Sequence, residues 1–146
     1  MINMDAKKQK YHKLYMDLAY RISQMSHCER YKVGCIIVKD TQIISMGWNG
    51  MPSGEDNCCE DKDGNTLNNV IHAEQNAIIK LAASSETSVK SVIYSTLAPC
   101  LSCAKLIVGA KISTVIYDTN YRTNDGLDYL NKHGIQTHQF NIQTAS

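Results

Sequence analysis

The sequence predicts an α/β fold in which a mixed five-stranded sheet is flanked by helices. Three observations predict it. Segments of helical and strand period follow one another in the order α, β, β, α, β, α, β, α, β. After an initial hairpin each strand alternates with a helix, which favours right-handed crossovers onto a common sheet. The 146 residues suffice for one hydrophobic core but not two, so residues 1–146 are read as a single domain.

The first element is a helix over residues 11–25, where Tyr11, Leu14, Tyr15, Leu18, Ala19, Ile22 and Met25 recur at three- and four-residue steps. Residues 33–39 and 42–48 are β-branched and apolar and are parted by Asp40 and Thr41, the pattern of a tight antiparallel hairpin. Residues 49–69 lose all period and are rich in Gly, Asp, Asn and Glu, so they form a long loop of the kind that often carries function. Helical period resumes over 72–83 through Ala73, Ala77, Ile78 and Leu81, and 91–96 alternates as a strand. Pro99 stands where a helix opens and Gly109 where it would close. Residues 114–117 form a short buried strand, 126–133 a helix closed by Gly134, and 135–140 the last strand.

Composition narrows the function. Apolar residues make up 43% and charged residues 20%, and the longest strongly apolar stretch, 33–38, is far short of the roughly 18 residues of a spanning helix. The first ten residues carry lysines without an apolar run behind them, so no secretory signal is expected. Fifteen basic against fourteen acidic residues give a net charge of +1. That balance disfavours a polynucleotide tracked along a basic surface and leaves room for a small local anion site.

Six cysteines are unusual for such a chain: Cys28, Cys35, Cys58, Cys59, Cys100 and Cys103. A domain of this length needs no disulfide staples, so reduced thiols in a cytoplasmic compartment are expected, and metal ligation is the first question. Two clusters answer it. His72, Ala73 and Glu74 open one predicted helix, while Pro99, Cys100, Leu101, Ser102 and Cys103 open the next. Cysteines three apart on a first turn reach one ion, and a helix N-terminus favours the thiolate that binds it. One His and two Cys make three ligands, which leaves zinc an open position for water, whereas structural zinc is closed by a fourth side chain. Glu74, two residues past His72, points elsewhere than the ligand and is placed to move protons as general acid and base. The combination H-x-E with P-C-x-x-C is the signature of zinc nucleobase deaminases. A redox reading of Cys100 and Cys103 gives no part to His72 or Glu74.

Residues 31–39 (YKVGCIIVK), 47–54 (GWNGMPSG), 72–79 (HAEQNAII) and 96–103 (TLAPCLSC) resemble the deoxycytidylate (dCMP) deaminases of bacteria, phages and eukaryotes, over about residues 14–140. The resemblance implies a cytidine deaminase-like three-layer fold and hydrolysis of dCMP to dUMP and ammonia, supplying dUMP for thymidylate synthesis. It implies that His72, Cys100 and Cys103 hold Zn2+ and that Glu74 shuttles protons. It places Asn49 on the sugar and the Ala73 main chain on the base, with Thr96 and Pro99 lining the substrate. A nucleotide also needs a phosphate site, for which Arg30 and Lys32 come first and Tyr121 and Arg122 second. Arg30 and Lys32 read equally as a solvated basic edge, and Tyr121 as a packing tyrosine.

Members of that family are commonly hexamers, activated by dCTP and inhibited by dTTP through a loop whose pattern this chain keeps as Asn49, Gly50, Pro52 and Gly54. The same glycines also serve a loop that merely has to turn. Some members carry a second zinc in the loop before the histidine. Here that would need Cys28 with Cys58 or Cys59; buried or semi-exposed free thiols are the plainer expectation. Cys35 belongs to the core, and His12, His27, His133 and His138 to solvated or capping positions. Two alternatives stay open: a nucleic-acid or free-nucleoside deaminase of the same zinc superfamily, and a zinc-stabilised binding module without activity.

Overall fold

The strands of the computed structural model, which describes residues 6–144, form one sheet in the order β2-β1-β3-β4-β5. Its elements are α1 (Ala6–Ser23), β1 (Gly34–Lys39), β2 (Gln42–Trp48), α2 (Ala73–Ala82), β3 (Val92–Leu97), α3 (Leu101–Gly109), β4 (Thr114–Thr119), α4 (Asp125–Lys132) and β5 (Gln136–Gln139). The predicted order and the mixed sheet are both present. β1 pairs antiparallel with β2 and β3, whereas β3, β4 and β5 run parallel, joined by the crossover helices α3 and α4.

The expected boundaries shift for physical reasons. The first helix begins at Ala6, earlier than its apolar period, because lysine-rich turns propagate a helix without burying anything; residues 1–5 of the N-terminal stretch lie outside the described residues. Asp40 and Thr41 both take positive φ (51° and 65°), the paired left-handed turn that matches hairpin twist. Gly109 does not cap α3. It is the last helical residue, Ala110 follows as cap, and the left-handed position falls on Lys111 (φ 59°). Gly134 does close α4 with φ 80°.

Two cores sandwich the sheet. Cys35, Ile37, Ile93 and Val115 face Ala77, Leu81, Ala104, Ile107 and Leu130 of α2, α3 and α4. Ile36, Val38, Tyr94 and Ile116 face Tyr15, Met16 and Ala19 of α1. Neighbours on both sides explain why residues 33–38 read as one unbroken apolar run rather than an alternation. Cys35 is core, as expected.

His12 is neither a solvated nor a capping histidine. Its Nδ1 lies 2.6 Å from the Tyr94 hydroxyl, and its ring packs against Phe140 and His138. Burial, His138 and Lys8 together pull its pKa down to about 4 from 6.5, and burial lowers His138 as well. The folded state therefore binds fewer protons than the unfolded chain between those values, so the stability is whole above pH 6.5 and is lost as pH falls towards 4. Discounted for its half-exposed ring, the effect of His12 is on the order of 1 kcal/mol, about 3 °C in Tm. Melting curves from pH 7.5 to 4.5 should show a shallower acid slope in His12→Gln than in the parent. Equal slopes would refute this.

Topology decides where chemistry collects. β1 runs against β3, so the segment entering β1, the end of β2, the exit of β3 at Leu97 and the exit of β4 at Thr119 all lie at one edge of the sheet. Ligands favour the carboxyl ends of parallel strands in open α/β sheets.

Candidate functional site

At that edge two helices begin side by side. His72 is the extended N-cap of α2, and its amide donates to the Gln75 side-chain oxygen at 2.7 Å. Cys100 is the extended N-cap of α3, so Cys103 falls on its first turn. Both ligand-bearing turns are seated by close backbone approach. A Cβ at Gly47 of β2 would collide with the Ala73 carbonyl oxygen, and one at Gly126 of α4 with the Pro99 carbonyl oxygen. Only glycine allows the elements to lie so near.

The result is a convergence of three donors. His72 Nδ1 lies 3.2 Å from Cys103 Sγ and 3.5 Å from Cys100 Sγ, and all three ligand atoms fall within 4.8 Å of one another. One imidazole and two thiols suit zinc, and among the described residues no other His, Cys, Asp or Glu joins the group. The donor set fits a three-coordinate protein site with a position left for a non-protein ligand.

The electrostatics agree. The Cys100 thiol is pulled down to about 4, first by the hydrogen bond from the Cys103 thiol and then by His72. Cys103 is held protonated by the same bond and by burial. The two thiols are thus coupled through a shared hydrogen bond that favours one thiolate in the pair. His72 is raised by its bond to Cys100, towards the cation that balances this thiolate. The helix N-terminus read from the sequence is real, but the neighbouring thiol is the larger cause.

Glu74 is buried, with 4% of its surface exposed. Burial raises its carboxyl pKa, opposed by hydrogen bonds from its own amide and the Cys103 thiol and by the charge on His72. A buried carboxyl with a raised pKa is the type of group that general acid–base chemistry uses.

His72, Glu74 and Cys100 line a cavity of about 550 Å³ together with Arg30, Tyr31, Asn49, Glu60, Tyr121 and Arg122. That volume is in the range for small-molecule sites. A second cavity of about 400 Å³ adjoins it across Tyr31, Val33, Leu97, Tyr121 and Arg122. Of the predicted substrate residues, Ala73, Asn49, Arg30 and Tyr121 line the larger cavity. Lys32 and Thr96 line the smaller one, and Pro99 is fully buried behind Cys100.

Several of these side chains are already engaged. The Asn49 amide donates to the Tyr31 carbonyl at 2.7 Å and its oxygen accepts the Val33 amide at 2.9 Å, leaving one N–H and one lone pair. The Lys32 ammonium donates to the Ser26 carbonyl at 2.6 Å, and the Thr96 hydroxyl accepts the Gly34 amide at 3.2 Å. Arg30 and Arg122 lie over the rings of Tyr31 and Tyr121. In the predicted regulatory loop, Gly50 pairs with Ile71 in an isolated antiparallel bridge, the Pro52 carbonyl accepts the Glu55 amide, and Gly54 has φ 90°.

Two expectations need correction. Cys28 and Cys59 form a disulfide across 31 residues of sequence, so neither is a free thiol available to a second metal, and the thiols are not uniformly reduced. Cys58 is free and exposed, its Sγ against the Glu60 carbonyl. The pairing is illegible in the sequence because adjacent Cys58 and Cys59 offer the same spacing; only the fold buries Cys59 and turns Cys58 outward. Glu60, a further lining residue, carries no motif at all.

Comparison with known proteins bears on this geometry. Residues 9–119 match the model of the cytidine and deoxycytidylate deaminase zinc-binding region. The deoxycytidylate deaminase of Saccharomyces cerevisiae is 33% identical over 138 residues, covering 88% of this chain and 44% of that protein. The deoxycytidylate deaminase of enterobacteria phage T4 is 31% identical, covering 75% of this chain and 78% of that one. The crystal structure of a dCMP deaminase from cyanophage S-TIM5, in complex with dCMP and dUMP, superposes with a TM-score of 0.88 at 42% identity, covering 94% of this chain and all of that one. The chain thus spans less than half the length of the yeast enzyme.

Proposed function

Since the chain belongs to the cytidine and deoxycytidylate deaminase family, we propose that it hydrolyses dCMP to dUMP and ammonia as a single domain. The observation that carries this reading is the convergence of His72, Cys100 and Cys103 beside buried Glu74, at the floor of a cavity lined by Arg30 and Arg122.

In this reading His72, Cys100 and Cys103 hold zinc. When bound there, the metal supplies Lewis-acid activation of water. Glu74 takes a proton from the attacking water and delivers it to the ring nitrogen of the base. It then carries the second proton to the departing amine, so that dCMP and water become dUMP and ammonia. The Ala73 main chain reads the base and the remaining hydrogen-bonding capacity of Asn49 reads the sugar. Arg30, together with Tyr121 and Arg122 across the cavity, receives the phosphate, while Lys32 and Thr96 set the adjoining wall. A net charge of +1 suits a mononucleotide held by these few groups.

Among the described residues no helix is long and apolar enough to cross a membrane. We further propose that dCTP and dTTP act through the turn of Asn49, Gly50, Pro52 and Gly54, and that the chain assembles as a homo-oligomer, a hexamer by resemblance.

A steady-state assay of the zinc-loaded protein tests the reading. Turnover of dCMP should exceed that of deoxycytidine by about 10²-fold or more in kcat/KM, because the phosphate-binding side chains of the site are left unpaired by the nucleoside. Addition of dCTP should raise turnover and dTTP lower it, in a species that light scattering finds larger than a monomer. Turnover of a tRNA anticodon stem-loop without turnover of dCMP would overturn the reading.

A further inference from the structure

Residues 26–33, which bring Arg30 and Tyr31 to the mouth of the cavity, contain neither helix nor strand. Side chains therefore do what a ladder does elsewhere. The inner end is tied to the start of the long loop: the Ser26 hydroxyl donates to the Asn49 carbonyl at 2.7 Å, and Asn49 holds Tyr31 and Val33. The outer end is tied to two consecutive residues deeper in that loop. Cys59 is bonded to Cys28, and the Glu60 carboxylate accepts the amides of Glu29 at 3.2 Å and Arg30 at 3.1 Å. Glu60 itself belongs to a short antiparallel bridge with Thr66, which anchors it within the loop.

We propose that Glu60 is a positioning residue for the nucleotide. With the Cys28–Cys59 disulfide beside it, its carboxylate fixes the backbone that presents Arg30 and Tyr31 to the substrate. The proposal rests on the dCMP reading for its kinetic test. A charged acceptor bonded to two consecutive amides is worth more than a neutral one, and the disulfide removes the freedom of the same segment to drift away. Either tie alone limits the movement of residues 28–30; loss of both frees the wall between Ser26 and Tyr31.

The charge of Glu60 makes the test sharp. A carboxylate near the phosphate opposes binding of an anionic substrate, so deleting it for charge alone would lower KM, whereas loss of positioning raises it. Glu60→Ala should raise KM for dCMP by about threefold to tenfold, with kcat within about twofold of the parent, the size expected for two lost amide bonds. Glu60→Gln, which keeps a carbonyl acceptor, should recover part of the loss. Glu55→Ala is the control: Glu55 bonds Asn69 in the same loop without touching residues 26–33, and its KM should match the parent.

Tris(2-carboxyethyl)phosphine cleaves the disulfide to two thiols, the phosphine taking up water oxygen to become the oxide. This treatment should raise KM further in Glu60→Ala than in the parent. Amide exchange gives a readout free of turnover: the amides of Glu29 and Arg30 should be protected in the oxidised parent and less protected in Glu60→Gln, which also serves if Glu60→Ala does not fold. An unchanged or lowered KM in Glu60→Ala, an equal rise in Glu55→Ala, or undiminished amide protection in Glu60→Gln would overturn the proposal. A parent that binds zinc but does not turn over dCMP would overturn the functional reading instead, leaving the exchange result to judge Glu60.

Discussion

Glu74→Gln should lower kcat for dCMP by about 10³-fold or more, at the upper part of the range for loss of a general acid and base, while zinc content measured by atomic absorption stays at the parent level. The separation follows from the geometry. Glutamine matches glutamate in shape and fills the same buried site, so the cavity wall survives. What disappears is a group able to take a proton and return it. The three donor atoms lie on His72, Cys100 and Cys103, none of which is touched. A variant that kept kcat within about tenfold would refute the assigned role, because nothing else in the proposed scheme moves the proton. An activity loss accompanied by equal loss of zinc would move Glu74 from acid–base chemistry to metal binding.

The second large effect is expected at Cys103. Cys103→Ser replaces a fully buried thiol with a hydroxyl that is a poor zinc ligand, leaving His72 and Cys100 as two donors from two helix starts. Turnover should fall below detection, and zinc should be lost on gel filtration. Stability gives a readout free of activity. Zinc at about 1,000 times its Kd stabilises a native state by about 4 kcal/mol, which is about 10 °C in Tm for a chain of this size. Zinc should therefore raise the Tm of the chelator-stripped parent by about that amount and leave Cys103→Ser unmoved. An equal rise in both would show that the metal binds elsewhere.

Most of the architecture was legible before any coordinates. Helix, hairpin and crossover were written in local periodicity, and the buried run over 33–38 announced a central strand. Boundaries moved where local signals compete: polar lysine-rich turns lengthened α1, and the end of α3 was set by packing rather than by Gly109. The chemistry of the site was legible for a related reason. His72 with Glu74, and Cys100 with Cys103, are each held by a single helix start, so short sequence spacings record their geometry.

The wall of the cavity was not legible, because its partners are distant in sequence and none forms a motif. Cys28 and Cys59 are 31 residues apart, and Glu60 serves the amides of Glu29 and Arg30 from the far side of the loop. Asn49 carried a sugar-binding expectation, yet in the fold it also holds Tyr31 and Val33. His12 carried no expected partner and became part of a half-buried aromatic group with Tyr94. The sequence by itself determined the order of elements and the placing of His72, Glu74, Cys100 and Cys103 at two helix starts, since each depends on neighbours within one turn. The tertiary structure decided which cysteine pairs, which cavity Lys32 lines and what holds Arg30 in place, since those outcomes depend on backbone groups that meet only after the antiparallel entry to β1 and the parallel exits of β3 and β4 reach the same edge of the sheet.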